Sequence, residues 1–549
     1  MIQAGLNWGL GVLRAFMLWR NPIFIRYCHS KLRWKPLLGW SLVTFLGTGF
    51  IFTLTYFLIQ DDMLVTSQEA AQGTLIPLIV IQAIILMAKG SFSVASGITR
   101  EGIEGVLDYQ RLSPMPPSQK IIGYLFGLPV LDYILFLLTV PFVAFAVWKG
   151  EVPMEMVLRV YGVFTTSVLL YHMTAFMAGM VVKQRFLVGF LSQLLMFLLY
   201  FILPILSKFG YIFFEHFTIR PTIFAEFAYM YPESRSFEIA SSSMSFFALD
   251  IPCHIFSMLI QLLMLSLFTI VVYRKWRNEN HHLLDKHSAV LALGTLYFAL
   301  IGSMLPQIPT GRIFPSWGPR YLLEIPPVDF ISPKEALFIL GFFGVFSLII
   351  SILTIALITP NLDKQIKGLR RMVKLENDRV PFSDDESSSF WHSIIICGIA
   401  FTGWWLFVGY LFDSNWYEGW VLSPYAWLWA LTSLVVPIMS FQMYLEVKGG
   451  HGLFIVLLIA WIVPLLGGIL MAAASEHLLH AATYVAALSG FLLPFYSVEA
   501  GLVQSYFLED MTEARHAFFL VLFLYATLLA ILFSEWRKHH QRIRKSLST

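Results

Sequence analysis

Apolar runs of about 20 residues recur along the whole chain, each long enough to cross the hydrocarbon core of a bilayer as a helix. The pattern places spans near 37–59, 74–97, 121–148, 154–182, 186–207 and 252–273. It then repeats more loosely, with spans near 288–304, 335–358, 393–412, 424–444, 452–472 and 514–534. A further apolar stretch, 481–500, is interrupted by Gly490, Pro494 and Glu499. If it crosses, about 13 spans put the basic tail outside, against the positive-inside rule. If it is re-entrant, about 12 spans leave both termini in the cytoplasm, and this is the expected arrangement.

Polar segments punctuate the runs. Residues 1–36 alternate apolar patches with Arg14, Arg20, Arg26, Lys31, Arg33 and Lys35, as a helix lying in the inner interface would. Residues 98–121 separate the second and third spans. A linker, 274–287, joins a first half, 37–273, to a second, 288–534. Segment 359–392 follows the eighth span, and a basic tail, 535–549, carries Arg537, Lys538, Arg542, Arg544 and Lys545. Residues 208–249, with Pro221 and Pro232, read as short outer helices lined by protein, since irregular backbone cannot face lipid. The expected fold is all-α: a polytopic transmembrane helical bundle in two six-span halves with short re-entrant outer segments.

Composition narrows the class. The chain is 57% hydrophobic and 13% charged, where a soluble domain carries about 25% charged residues. Cys28, Cys253 and Cys397 are too scattered for a disulfide framework or a C-x-x-C metal site. The opening lacks the charged region, short apolar core and cleavage site of a signal peptide, so none is expected. There is no G-x-x-x-x-G-K-[ST] loop, so the chain is not expected to be an enzyme that hydrolyses ATP, nor to hold a cofactor of its own.

The stretch that organises the rest reads TREGIEGVLDYQRLSPMPPSQKIIG, residues 99–123. Glu101, Glu104 and Asp108 fall at helical spacing on one side, with Ile103, Val106 and Leu107 on the other. The spacing predicts a short amphipathic helix with its acids outward. Ser113-Pro114 and Pro116-Pro117 stop it, and Lys120 stands at the mouth of the next run.

Glu104-Gly105-Val106-Leu107-Asp108, then Leu112-Ser113-Pro114-Met115, then Ile121-Ile122-Gly123 resembles the signature of type-2 ABC exporter permeases. Val106 stands where that pattern has Thr, and Tyr124 where it has Lys. Asn21-Pro22-Ile23-Phe24-Ile25-Arg26 is similar to the N-P-x-x-x-R opening of the family's elbow helix, with Tyr27 in place of the following acid. The resemblance implies a permease subunit whose loop after the second span docks on a separate cytoplasmic ABC ATPase that holds ATP-Mg. It implies polar contacts from Glu101, Glu104, Asp108 and Arg111 and apolar ones from Leu107 and Leu112, on a segment shaped by Gly105, Ser113 and Pro114. It also implies an inner (plasma) membrane, lipids as neighbours and no nucleic-acid partner; the two six-span halves in one chain suggest one chain per transport pathway, with one copy or two per complex left open. Segment 359–392 lacks the Glu-Gly-x-Leu-Asp pattern. Two rivals stand beside this reading: a polytopic membrane enzyme acting on lipid or lipid-linked substrate, and a non-transporting anchor for an ATPase.

Charges inside the spans need partners, because one at the span centre costs about 2.5–3.5 kcal/mol on insertion scales. Lys89 and Asp132 are expected to pair and brace the helices flanking the coupling segment, or else to line a substrate path. His281, His282, Asp285 and His287 have ligand-like spacing but read as a solvated linker. His539-His540 in the tail take the same reading, while His477 and His480 beside Glu476 lie on the outer side before 481–500, with an outer-face metal site as the minor alternative. Arg159 is placed to snorkel at the outer interface, and the tryptophans at span ends read as an interfacial belt.

Overall fold

In the computed structural model the described residues, 18–61, 65–181, 193–227, 243–278, 281–311, 313–314, 333–374, 380–449, 452–504 and 512–548, are mostly helical. The basic turn at 183–185, most of the Pro-rich loop before the eighth span, and residues 1–17 lie outside them. Helix α1 is Pro22–Lys31, α2 Trp34–Gln60, α3 Ser67–Ile103 and α4 Val106–Leu112. They are followed by α5 Pro117–Gly127, α6 Val130–Lys149 and α7 Met154–Val181. Helix α8 is Gln193–Ser207 and α9 Arg220–Phe227. A hairpin of β1 Ser243–Phe246 and β2 Leu249–Pro252 leads into α10 Cys253–Arg277 and α11 Lys286–Met304.

The remainder comprises α12 Pro333–Ile358, α13 Leu362–Lys374, α14 Phe390–Phe412 and α15 Ala426–Lys448. Helix α16 is Ile455–Ala474, α17 Leu479–Ala487, α18 Gly490–Gly501 and α19 Thr512–Ser548. Strand β3 Val421–Leu422 pairs antiparallel with β4 Leu502–Gln504. Among the described residues eleven helices are long and apolar enough to span a bilayer, or twelve if the bent α17–α18 pair is one span. The all-α polytopic bundle is therefore the observed fold.

The outer surface fits lipid and not water. Helix α2 presents Leu42, Val43, Leu46, Phe50 and Phe57 outward, a contiguous apolar face that a soluble protein does not expose. The chain is an integral membrane protein. One large core joins the halves: Ile23 and Tyr124 belong to the same buried cluster as Phe343, Trp404 and Phe518. A second cluster, with Leu78, Leu135, Val143 and Phe164, lies in the first half, built mainly from α3, α6 and α7 and joined by Phe227 of α9.

Several boundaries differ from the hydropathy pattern. The second span runs far past 74–97. It starts at a capping box, where the Thr66 hydroxyl accepts from Glu69 N and the Glu69 carboxylate accepts from Thr66 N. Its middle, Ile84–Gly90, is wound as a π-helix. The third span divides into α5 and α6 at Leu128-Pro129, because proline cannot donate into the ladder. Residues 481–500 fold as two arms meeting at 91°. The basic tail is no separate segment: it continues α19, whose 37 residues span about 55 Å.

Candidate docking surface at the elbow

The predicted single amphipathic helix is two helices with a corner. Helix α3 ends at Ile103, Gly105 takes φ +72°, and α4 starts at Val106. A Cβ at Gly105 would meet nothing within 4 Å, so glycine is required there by the left-handed backbone and not by crowding. The corner divides the acids. Glu101 stays on α3, while Asp108 moves to α4.

Glu101 does not face outward as expected. Its carboxylate is 12% exposed and pairs with Arg26 Nη2. The same carboxylate accepts hydrogen bonds from the hydroxyls of Tyr27 and Tyr124. Burial, and then the hydrogen bond to Glu101, push the Tyr27 phenol far above its ordinary pKa, so it stays a donor. Glu101 is thus a tie between the second span, the elbow helix α1 and α5. Leu107 is corrected in the same way. It is buried in the core and offers no apolar contact to a partner, because the turn at Gly105 swings it inward.

The elbow helix is held by its own motif. The Asn21 side-chain oxygen accepts from Ile23 N at 3.0 Å and Phe24 N at 3.4 Å, capping α1, and its Nδ2 donates to Gln119 O at 2.7 Å. Pro22 occupies the first turn, where its missing donor costs nothing. Helix α1 lies against α5 over Gly123 and Gly127. A Cβ at Gly123 would come within 2.6 Å of Asn21 Oδ1, and one at Gly127 within 2.8 Å of Tyr27 Cδ2. The four-residue spacing of these glycines was a readable sign of close packing. Lys120 is buried and donates to Ser113 O at 3.0 Å, fixing the turn before Pro114.

What remains outside is a ledge. Tyr109 is 72% and Leu112 86% exposed. Glu104 pairs with Arg100 at 2.8 Å, and Asp108 with Arg111, both within one helical turn. Exposed pairs of this kind contribute little and exchange partners readily. Between the ledge and α1 lies a groove of about 350 Å³ lined by Pro22, Ile23, Arg26, Gln110, Ser113, Pro114 and Met115.

Inside the bundle, Lys89 Nζ is paired with Asp132, and Ser93 Oγ donates to the other oxygen of that carboxylate at 2.9 Å. Lys89 also lies over the Trp40 ring, 5.3 Å from its centroid. Next to it, buried His172 bonds Leu86 O at 2.9 Å and Tyr133 OH at 3.1 Å. Leu86 belongs to the π-wound segment, where a ladder carbonyl is freed for such a partner. Hydropathy gave no sign of His172 or Tyr133. Arg159 does more than snorkel: it pairs with Glu155 and with Glu226.

Among its described residues the linker 274–287 is only partly solvated: Arg277, Asn278, His281 and His287 are exposed, while Trp276, Leu284 and Lys286 are buried. Arg274 pairs with Asp385 at 2.8 Å and Asp285 at 3.3 Å, His282 N donates to Asp385 at 3.3 Å, and Lys286 Nζ donates to Asp384 O at 2.8 Å. Burial drives the His282 imidazole down to about 4, reinforced by the charge of Lys364. Beyond this, buried Glu446 accepts from Ser389 N and Ser388 Oγ, each at 2.8 Å, and from Trp536 Nε1 at 2.6 Å. His540 Nε2 stands 3.3 Å from the same carboxylate. Among the described residues no group of three or more His, Cys, Asp or Glu side chains is arranged to hold a metal.

No family model, curated protein or solved structure matches the chain.

Proposed function

We propose that the chain is the membrane-spanning subunit of an ATP-driven ABC exporter, and that a separate cytoplasmic ATPase docks on the ledge beside α1 and α4. One observation carries this reading. The two segments that bear the family resemblance, 21–26 and 104–123, are distant in sequence, yet they close on one another at Asn21 and Gln119, 98 residues apart, and share one groove.

The division of labour is then specific. Glu104, Asp108, Tyr109 and Leu112 are exposed on the side that a partner would meet. Arg26, Tyr27, Glu101 and Tyr124 are positioning residues behind them. A push on α4 reaches α3 through the corner at Gly105. Through Glu101 it also reaches α1 and α5, so the three helices respond together. ATP-Mg belongs to the partner, and transport outward follows from the family resemblance.

The test is co-purification of the tagged chain with its candidate ATPase. Glu104→Arg/Asp108→Arg and Leu112→Asp are each expected to release the ATPase while the chain stays folded in the membrane. If the wild type retains no ATPase under conditions that preserve the fold, the ledge is an ordinary loop and a lipid-directed membrane enzyme becomes the better reading.

A further inference from the structure

Helix α13, Leu362–Lys374, has four distinct sides. Gln365, Gly368 and Met372 are buried, against α15 and α19. A second flank is also turned inward. Arg371 pairs with Asp384 and, at 3.2 Å, with Glu386. Lys364 Nζ lies 3.4 Å from His282 Nε2, and a Cβ on Gly368 would come within 2.6 Å of Glu386 Cβ. These contacts fix the rotation of the helix about its axis.

The remaining two sides are uncovered and differ in kind. Lys367, Arg370 and Lys374 are exposed on adjacent turns. None of the three makes an ion pair among the described residues, and one acid, Asp363, shares their side. Next to them runs an apolar strip of Leu362, Ile366 and Leu369, each partly exposed, with Val373 56% exposed. A helix facing only water would not keep this strip open beside a cationic row. A helix lying at a bilayer boundary would, with the strip at the acyl chains and the cations at the headgroups.

The chain's path places α13 at that depth. The spanning helix α12 ends at Ile358, and only residues 359–361 intervene before Leu362. Three residues reach about 10 Å at most, so the helix starts beside the end of the spanning helix α12. We infer that α13 is a binding surface for anionic phospholipid headgroups, held by Lys367, Arg370 and Lys374 and seated by Val373 and its apolar neighbours. The inference does not depend on the chain being a transporter. It commits to lipid over an acidic protein because the cationic row is continuous with an apolar strip at membrane depth.

The test uses the full chain in nanodiscs and in detergent. Wild type is expected to retain phosphatidylglycerol over phosphatidylcholine through purification, as measured by native mass spectrometry. Lys367→Gln/Arg370→Gln/Lys374→Gln should lower that retention at least about tenfold, with unfolding in pure phosphatidylcholine unchanged. Val373→Asp should lower it too while leaving every cation in place. Wild-type retention in the triple variant overturns the proposal, and so does an unaffected Val373→Asp. If soluble glycerophosphoglycerol competes as well as the lipid, the site is one for free phosphate and the proposal fails. It also fails if the triple variant keeps the lipid but sheds a bound acidic protein.

Discussion

Glu101 and Arg26, 75 residues apart in sequence, form an ion pair that fastens the end of the second span to the elbow helix. Two tyrosine hydroxyls donate to the same carboxylate. Truncating it strands three partners at once, two of them in a largely buried setting. Glu101→Ala should therefore cost about 3 kcal/mol, whereas Glu104→Ala, at an exposed pair, should cost about 0.5 kcal/mol or less. Thermal unfolding in detergent measures both. Equal losses would mean that the tie at Glu101 contributes nothing special.

Glycine should matter at 105 and 123 for different reasons. Gly105→Ala places a Cβ in open space but at φ +72°, at a cost of about 1 kcal/mol. Gly123→Ala drives its Cβ onto Asn21 and should cost about 1–3 kcal/mol through overpacking. The two are separable by proteolysis. Gly123→Ala should expose α1 to cleavage, and Gly105→Ala should leave α1 protected.

The linker should loosen in mild acid. Burial depresses the His282 imidazole to about 4 in the folded chain, against about 6.5 when free. The unfolded linker then binds a proton that the folded one refuses, so stability is full above about pH 6.5 and falls as the pH drops toward 4. The loss reaches roughly 3 kcal/mol at the lower end. Hydrogen exchange across 281–287 between pH 6.5 and 5 reports this before Asp285, whose carboxyl is held, against its burial, below its ordinary range by its bonds to Ser288 and the charge of Arg274, takes up a proton. His282→Gln should flatten the dependence, and a slope that persists in the variant would assign it to another group.

How much of this was legible depends on the scale of the signal. Membrane spans rest on windows of about 20 apolar residues, and a few misplaced positions do not erase them. Their ends depend on single residues: the cap at Thr66, the break at Pro129 and the helical continuation of the tail past residue 534 all moved boundaries. Spacing also put Lys89 and Asp132 forward as partners, since few other charges lie inside the spans. It could not see that Glu101 turns inward, because its partners Arg26, Tyr27 and Tyr124 come from helices distant in sequence, nor that Gly105 would rotate Leu107 and Asp108 away from it. Nor could it see Glu446. A carboxylate at the end of an apolar run reads as an interfacial charge until Trp536, on a helix 90 residues later in sequence, is found against it.

Lys89 and Asp132 differ sharply in access, and this sets the direction of the last prediction. The Asp132 side chain is buried, while that of Lys89 is about one-third exposed beside Trp40. Asp132→Asn leaves a lysine that can extend along apolar surface toward solvent, at about 1 kcal/mol. Lys89→Met leaves a buried carboxylate with, among the described residues, only Ser93 to serve it, at about 3 kcal/mol. The lysine variant should therefore be the less stable, by thermal unfolding and by folded yield from the membrane. Lys89→Asp/Asp132→Lys should regain part of the loss, since opposite charges again meet across the same helices. Equal losses in the single variants, with no recovery on exchange, would sink the pair as a brace and favour separate roles along a polar path.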